Sequence, residues 1–238
     1  MISIFIPIRK GSKRVINKNF KRLPYFQNGL TEIKLKQLKK FKHLSKSFKQ
    51  KFEYVVSSDS KKILKILKNY SWIKSFKREK FLSSDDSLEK LIKHVPEICK
   101  GDIILWTHVT SPLFDQNDYY EFIKKFLKLV RSQNAKSAFS AEKIQKFIYR
   151  EDKKWISHDY NKKKWPRTQD LLNSFILNSA ALIAKRSIYI NERDRLCKKP
   201  HPIVCRNNSG FDVDDKNDFN YIRANLKKYG TKFRKFKI

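Results

Sequence analysis

Two hydrophobic periods alternate along the chain. Short apolar runs at Ile4 to Ile8, Phe52 to Ser57, Asp102 to Trp106 and Ser137 to Ser140 have the length and composition of buried strands. Between them the period lengthens. Leu30 to Phe48 sets Ile33, Leu35, Leu38, Phe41, Leu44 and Phe48 at mixed helical spacings among lysines, and Asp118 to Arg131 gathers Phe122, Ile123, Phe126, Leu127 and Val130 on one face. Lys61 to Tyr70 and about Asp86 to Cys99 read as further helices, with an irregular stretch between them. Repeated strand–helix units with short connections predict an α/β fold: a mostly parallel sheet with helices on both faces. From Glu142 to about Asp170 the pattern changes. Phe147-Ile148-Tyr149-Arg150 and Lys154-Trp155-Ile156-Ser157, separated by Glu-Asp-Lys, read as an inserted β-hairpin.

Ligands in such sheets bind outside the carboxyl ends of the strands. The first strand runs there into a loop with one glycine and five cationic side chains. Gly11 permits a tight backbone path, and Arg9, Lys10, Lys13, Arg14 and Lys18 bring charge to where backbone N–H groups converge, a cradle for a polyphosphate. The second glycine and the Gly-Lys-Ser/Thr ending of a P-loop are missing. Ser57-Ser58-Asp59-Ser60 follows the second strand and suits a helix cap. Farther on, Phe211-Asp212-Val213-Asp214 reads as a strand with both carboxylates on one face. Such a pair repels unless a cation lies between, and hard oxygen donors beside a triphosphate favour magnesium.

Composition narrows this picture. The 238 residues suffice for one well-buried α/β domain with a small appendage and fall short of two domains. With no apolar stretch near the ~20 residues of a membrane span and no charged leader before an apolar run, a cytoplasmic protein is expected. Cys99, Cys197 and Cys205 form neither a Cys-x-x-Cys pair nor an even framework, so they read as reduced thiols with no zinc site. The net charge of +32 invites a nucleic-acid or anionic-membrane partner. Lysine is nevertheless spread along nearly every amphipathic segment. Solvated faces that steer anionic substrates are the expectation, with a basic nucleic-acid-binding protein as the alternative.

The loop Pro7, Arg9, Gly11, Ser12, Lys13, Lys18 and Asn19 resembles the opening Pro-Ala-Arg-x-Gly-Ser-Lys and Lys-Asn signature of the acylneuraminate (CMP-sialic acid synthetase-like) cytidylyltransferase family. That family includes the pseudaminic, legionaminic and Kdo relatives. Arg78-Glu79-Lys80-Phe81-Leu82-Ser83-Ser84-Asp85 is similar to its Arg-Pro-x-x-Leu-x-x-Asp, with Glu79 in place of proline. The resemblance makes Arg78 a base or phosphate contact and Asp85 a cap or loop brace. Thr110-Ser111-Pro112-Leu113 matches its Thr-Ser-Pro-Leu, with His108, Val109 and Phe114 at its glutamine, first proline and arginine positions. Arg167-Thr168-Gln169-Asp170 and Asn178-Ser179-Ala180 resemble its Arg-x-Gln-Asp and Asn-Gly-Ala, and Phe211 to Phe219 its Ile-Asp-x-Asp-x-x-x-Asp-Phe.

These segments occur in the family's order over about 200 residues. The resemblance implies a Rossmann-like, three-layer nucleotidyltransferase fold, one cytidylyltransferase domain over 1–238, with about 142–170 as a β-hairpin dimerisation arm of a homodimer. It implies that CTP and an acidic 2-keto sugar are joined to give the CMP-sugar and pyrophosphate. Arg9, Gly11, Ser12, Lys18, Asn19, Arg78, Thr110 and Ser111 would bind nucleotide, and His108, Arg167 and Gln169 the sugar. Asp212 and Asp214 would hold Mg2+, and Arg9, Lys18 and Asp214 carry the catalysis. His108 and Phe114 depart from the family pattern, which leaves a Kdo-type sugar or another nucleotide as the alternative.

Overall fold

The computed structural model describes residues 1–83, 88–206 and 208–230. Its elements run β1 (Ile2–Ile8), α1 (Gly29–Leu44), β2 (Phe52–Ser58), α2 (Lys61–Leu67), β3 (Lys74–Lys77), α3 (Leu88–Ile98), β4 (Ile103–Trp106), α4 (Gln116–Arg131) and β5 (Ser137–Ile144). A two-stranded hairpin, β6 (Tyr149–Arg150) and β7 (Lys154–Trp155), precedes β8 (Ser174–Lys185), α5 (Arg186–Asn191), β9 (His201–Val204) and α6 (Lys216–Tyr229). The expected start of the third helix near Asp86, and Asp85 with it, lie outside the described residues.

Seven strands form one sheet in the order β3-β2-β1-β4-β8-β5-β9, in which β8 runs antiparallel to its neighbours and the rest are parallel to one another. The run Ile2 to Ile8 reads as continuously apolar because both faces of β1 are covered. Ile2, Ile4, Ile6 and Ile8 join the core beneath α1, α4 and α6. Phe5 points the other way, into the core that Leu91, Val95, Ile188 and Tyr189 of α3 and α5 complete. The result is the three-layer α/β fold that the spacing predicts.

Two sequence readings are corrected here. The stretch between α2 and α3 contains β3, an edge strand whose Lys-Ser-Phe-Lys sequence carries one apolar residue. Charge on an edge strand deters pairing with a foreign strand and erases the apolar signal. Phe211 to Asp214 lies outside any strand.

From β1 the chain steps outward through β2 and β3, then returns to place β4 on the other side of β1. The loops after β1 and β4 therefore diverge, opening a crevice at the switch point. Residues 145–173 leave the sheet between β5 and β8, at the same end as this crevice. No helix among the described residues is long and apolar enough to cross a membrane.

Candidate active site

A cavity of about 570 Å³ occupies the crevice. Its wall includes Arg9, Ser12, Lys18, Asn19, Arg78, His108, Thr110, Asp212 and Asp214, nine of the residues singled out in the sequence. They come from loops distant in sequence that share one end of the sheet.

The loop after β1 is held in shape by its own polar groups. Asn19 Nδ2 donates to the Arg9 carbonyl (2.9 Å), Thr31 Oγ1 to the Asn19 carbonyl (2.7 Å), and the Lys10 N–H to Asp59 Oδ1 (2.9 Å). Ser60 caps α2 by accepting from the Ile63 N–H. The Ser57 to Ser60 segment thus caps a helix, as its composition suggests, and also braces the basic loop.

The acidic segment reaches the same wall by two anchors. Gly210 lies against Asn178 of β8, where an added Cβ would come within 2.1 Å of the amide nitrogen. The Val213 N–H donates to the Thr110 carbonyl (2.8 Å), while Lys18 Nζ donates to the Val213 carbonyl. Val213 is buried, and Asp212 and Asp214 on either side line the cavity. Capping falls to the next two acids: Asp215 accepts from the Asn217 and Asp218 N–H groups, and Asp218 accepts from the Asp214 and Asp215 N–H groups. Asp214 is left to pair with Arg14 (2.8 Å) and to stand 4.0 Å from Lys18 Nζ. Burial lowers the Lys18 ammonium below its ordinary value, and Asp212 and Asp214 oppose that shift. Asp212 Oδ1 is buried with no hydrogen-bond partner among the described residues.

Arg78 is nearly enclosed, yet its Nε and Nη2 find no hydrogen-bond partner among the described residues. Burial pulls its guanidinium below the usual range, against the attraction of Asp59. Asn19 Oδ1 is likewise buried and unpartnered. Buried polar groups of this kind are normally satisfied, so the two give the cavity an unused fork of donors and an unused acceptor.

In the same cavity, the indole N–H of Trp106 donates to His108 Nε2 at 2.8 Å. An indole can only donate, so His108 Nε2 accepts and its proton resides on Nδ1. Burial, then the charge of Arg195, pushes the imidazole down to about 3. His108 is therefore a neutral N–H donor and a poor proton acceptor. Arg195, for which the sequence offered no motif, lies with its guanidinium carbon 5.3 Å from the centre of the Trp106 ring and lines the cavity.

Four expected site residues fall elsewhere. Gly11 borders a shallower neighbouring depression, has no positive φ, and a Cβ there would meet nothing within 4 Å, so the fold itself does not require glycine. Ser111 is wholly buried outside the cavity lining, and its carbonyl accepts from Lys34 Nζ (2.9 Å). Arg167 and Gln169 lie on the arm in a short turn, exposed, where Arg167 Nε donates to Asp170 (3.1 Å). They lie outside the cavity lining of their own chain. Two departures from the family pattern also gain a cause: Val109 and Phe114 are core side chains.

A family model described as cytidylyltransferase matches residues 3–191. The chain belongs to the cytidylyltransferase family. This cytidylyltransferase is 25% identical to post-translational flagellin modification protein B of Campylobacter coli over 242 residues, 96% of each chain. Its fold is similar to that of CMP:2-keto-3-deoxy-manno-octonic acid synthetase complexed with CTP (TM-score 0.62, 12% identity, 95% of this chain and 98% of that one). A 4-diphosphocytidyl-2C-methyl-D-erythritol synthase from Anaerococcus prevotii is close in shape as well (TM-score 0.60, 13% identity, covering 95% and 98%). These likenesses extend past residue 191 to most of the chain, and they show an α/β nucleotidyltransferase fold.

Proposed function

We propose that this nucleotidyltransferase activates a nonulosonic acid, such as N-acetylneuraminic, legionaminic or pseudaminic acid, with CTP, giving the CMP-sugar and pyrophosphate. The observation that carries this reading is the single cavity in which a basic loop, a carboxylate pair, the buried Arg78 and the neutral His108 donor meet. The relative named for flagellin modification supports an acceptor sugar that ends on a protein.

In this reading Arg9 and Lys18 hold the triphosphate and Arg78 meets the nucleotide, each offering charge-assisted hydrogen bonds. Ser12, Asn19 and Thr110 orient it. The anomeric hydroxyl attacks the α-phosphorus in line, and the cations offset charge that develops on the leaving pyrophosphate. The donor set fits magnesium: Asp212 presents a buried oxygen without a partner among the described residues, and Asp214 lines the same cavity. Bound there, the ion would neutralise phosphate charge and polarise the α-phosphoryl group. Asp214 would exchange Arg14 for it, and Arg14 would turn to the phosphates.

The arm supports assembly with a second copy. Leu172, Phe175, Ile176 and Leu177, at the start of β8 and just before it, are exposed, as is Trp165 of the arm, with Phe175 and Leu177 on one face of the strand and Ile176 on the other. Packing a second chain around this part of the strand would remove these side chains from water and offer Arg167 and Gln169 to the neighbour's cavity. Sedimentation should then give a dimer that Ile176→Asp converts to monomer; a monomeric wild-type protein would contradict it.

The substrate assignment is tested by pyrophosphate release with CTP, ATP or GTP and magnesium against a panel of N-acetylneuraminic, legionaminic, pseudaminic and Kdo acids. Turnover with CTP and one of the nine-carbon acids is expected. Release with Kdo alone would move the substrate to the eight-carbon class, and release with none of the acids would reject the proposal.

A further inference from the structure

We infer that Arg195 is the residue of the cavity that binds the acceptor's carboxylate, acting beside the Nδ1–H of His108. This rests on the proposed acidic acceptor and deepens it. Arg195 follows α5 and reaches the cavity across Trp106, whose ring supports the guanidinium from one side at 5.3 Å. A ring beneath a guanidinium favours the cation without using its in-plane N–H groups, which stay available for a planar anion.

Three observations assign those N–H groups to a ligand. Among the described residues no carboxylate forms an ion pair with Arg195, in contrast to Arg14, Arg150, Arg167 and Arg206, each of which has one. Arg195 is also partly buried, and burial lowers its guanidinium against the pull of neighbouring Asp194. The Asp194 carboxylate accepts from the Arg195 backbone N–H (2.6 Å) and forms no ion pair with the guanidinium among the described residues, so a bound anion would offset a cost that Asp194 offsets only in part. Its neighbour His108 is fixed as a neutral donor because the Trp106 N–H occupies Nε2. One cation and one neutral donor complement a monoanion with two coplanar oxygens. A phosphate is better served by the basic loop, whose Arg9, Arg14 and Lys18 line the cavity together. Arg167, the residue that the sequence resemblance nominates for this task, is exposed and paired with Asp170.

The test uses full-length protein and separates binding of the two substrates. CTP affinity is measured by calorimetry, and kcat and KM by pyrophosphate release, for wild type, Arg195→Gln, Arg195→Lys and Arg167→Gln. The acceptors are the eight- and nine-carbon 2-keto acids, with a polyol phosphate that lacks a carboxylate as the contrasting probe. Loss of a charge-assisted pair predicts that Arg195→Gln raises KM for the keto acid by at least about 30-fold and leaves the CTP Kd within about threefold. Arg195→Lys keeps charge without the fork and should recover part of the loss. Normal keto-acid KM in Arg195→Gln overturns the assignment and leaves cytidylyl transfer to acids standing. If wild type uses the polyol phosphate and none of the acids, both fail together.

Discussion

Two sets of charged groups in the cavity behave in different ways. Around the basic loop, opposite charges already face one another: Asp214 is 2.8 Å from Arg14 and 4.0 Å from Lys18, and Lys18 is bonded to the Val213 carbonyl. At the walls formed by Arg78 and Arg195, cations are withdrawn from water with no bonded carboxylate among the described residues. The first arrangement is a set of exchangeable partners, suited to a substrate that arrives with both phosphate and metal. The second is an unfilled demand for anions or acceptors, suited to groups that the substrate alone brings. Stability and function should therefore be opposed at Arg78 and Arg195 and nearly independent at Asp214.

The largest effect that would sharpen this contrast is at Asp214. Asp214→Ala should lower kcat roughly a thousandfold, as loss of a group that acts on developing charge does, while thermal unfolding barely moves because the Arg14 pair is exposed. Equal losses of activity and stability would remove the distinction. Arg78→Met comes next. It should weaken CTP binding about 10- to 100-fold and stabilise the ligand-free fold by about 1 kcal/mol, because a buried guanidinium whose Nε and Nη2 have no partner among the described residues gives way to an apolar chain of similar length. A melting temperature that falls instead would mean that Arg78 has partners in solution.

How much of this was legible beforehand differs by region. The basic loop, the acidic segment and the α/β alternation are local patterns, and local patterns survive in sequence. Edge strand β3 was not legible, because lysines at Lys74 and Lys77 leave Phe76 as its one apolar residue. Arg195 gave no signal at all. In a chain with 55 basic residues one more arginine is inconspicuous, and its meaning comes from the stacking with Trp106, 89 positions earlier. Ser111 misled for a related reason. It sits in a conspicuous motif, but Lys34 and Gln37 of α1 bind the Ser111, Pro112 and Phe114 carbonyls and fix that loop from below, a contact across more than 70 residues. Arg167 was read as a site residue on a motif that one chain does not bring to its own cavity.

The smaller predictions concern those supports. Arg206 makes two 2.6 Å bonds to Asp118, whose carboxyl is buried and raised above its ordinary value by that burial. Arg206→Gln should cost about 1–3 kcal/mol in denaturant unfolding, moderated by water around the half-exposed guanidinium. No loss would show that solvent satisfies Asp118 unaided.

Lys34, wholly buried, is lowered to about 7 by burial, against the pull of Asp118, Asp115 and Asp212. The unfolded chain binds this proton up to its ordinary value near 10.5, whereas the folded chain releases it above about 7. The unfolded state thus holds more protons in that window, so Lys34's contribution to stability rises with pH there, by up to about 1.4 kcal/mol per unit. Lys34→Met should flatten the stability profile between pH 7 and pH 9 relative to wild type; parallel profiles would show that the lysine stays charged in the fold.

In the proposed reaction one cavity transfers a cytidylyl group to an acidic sugar. Phosphorus NMR of a mixture of protein, CTP, magnesium and keto acid tests it most directly, since it identifies which phosphorus bond breaks. A phosphodiester resonance and pyrophosphate should grow in equal amounts as CTP declines, and neither should appear with Asp214→Ala. CDP with a sugar phosphate, or CDP with free phosphate, would mean attack at the γ-phosphorus and would contradict it.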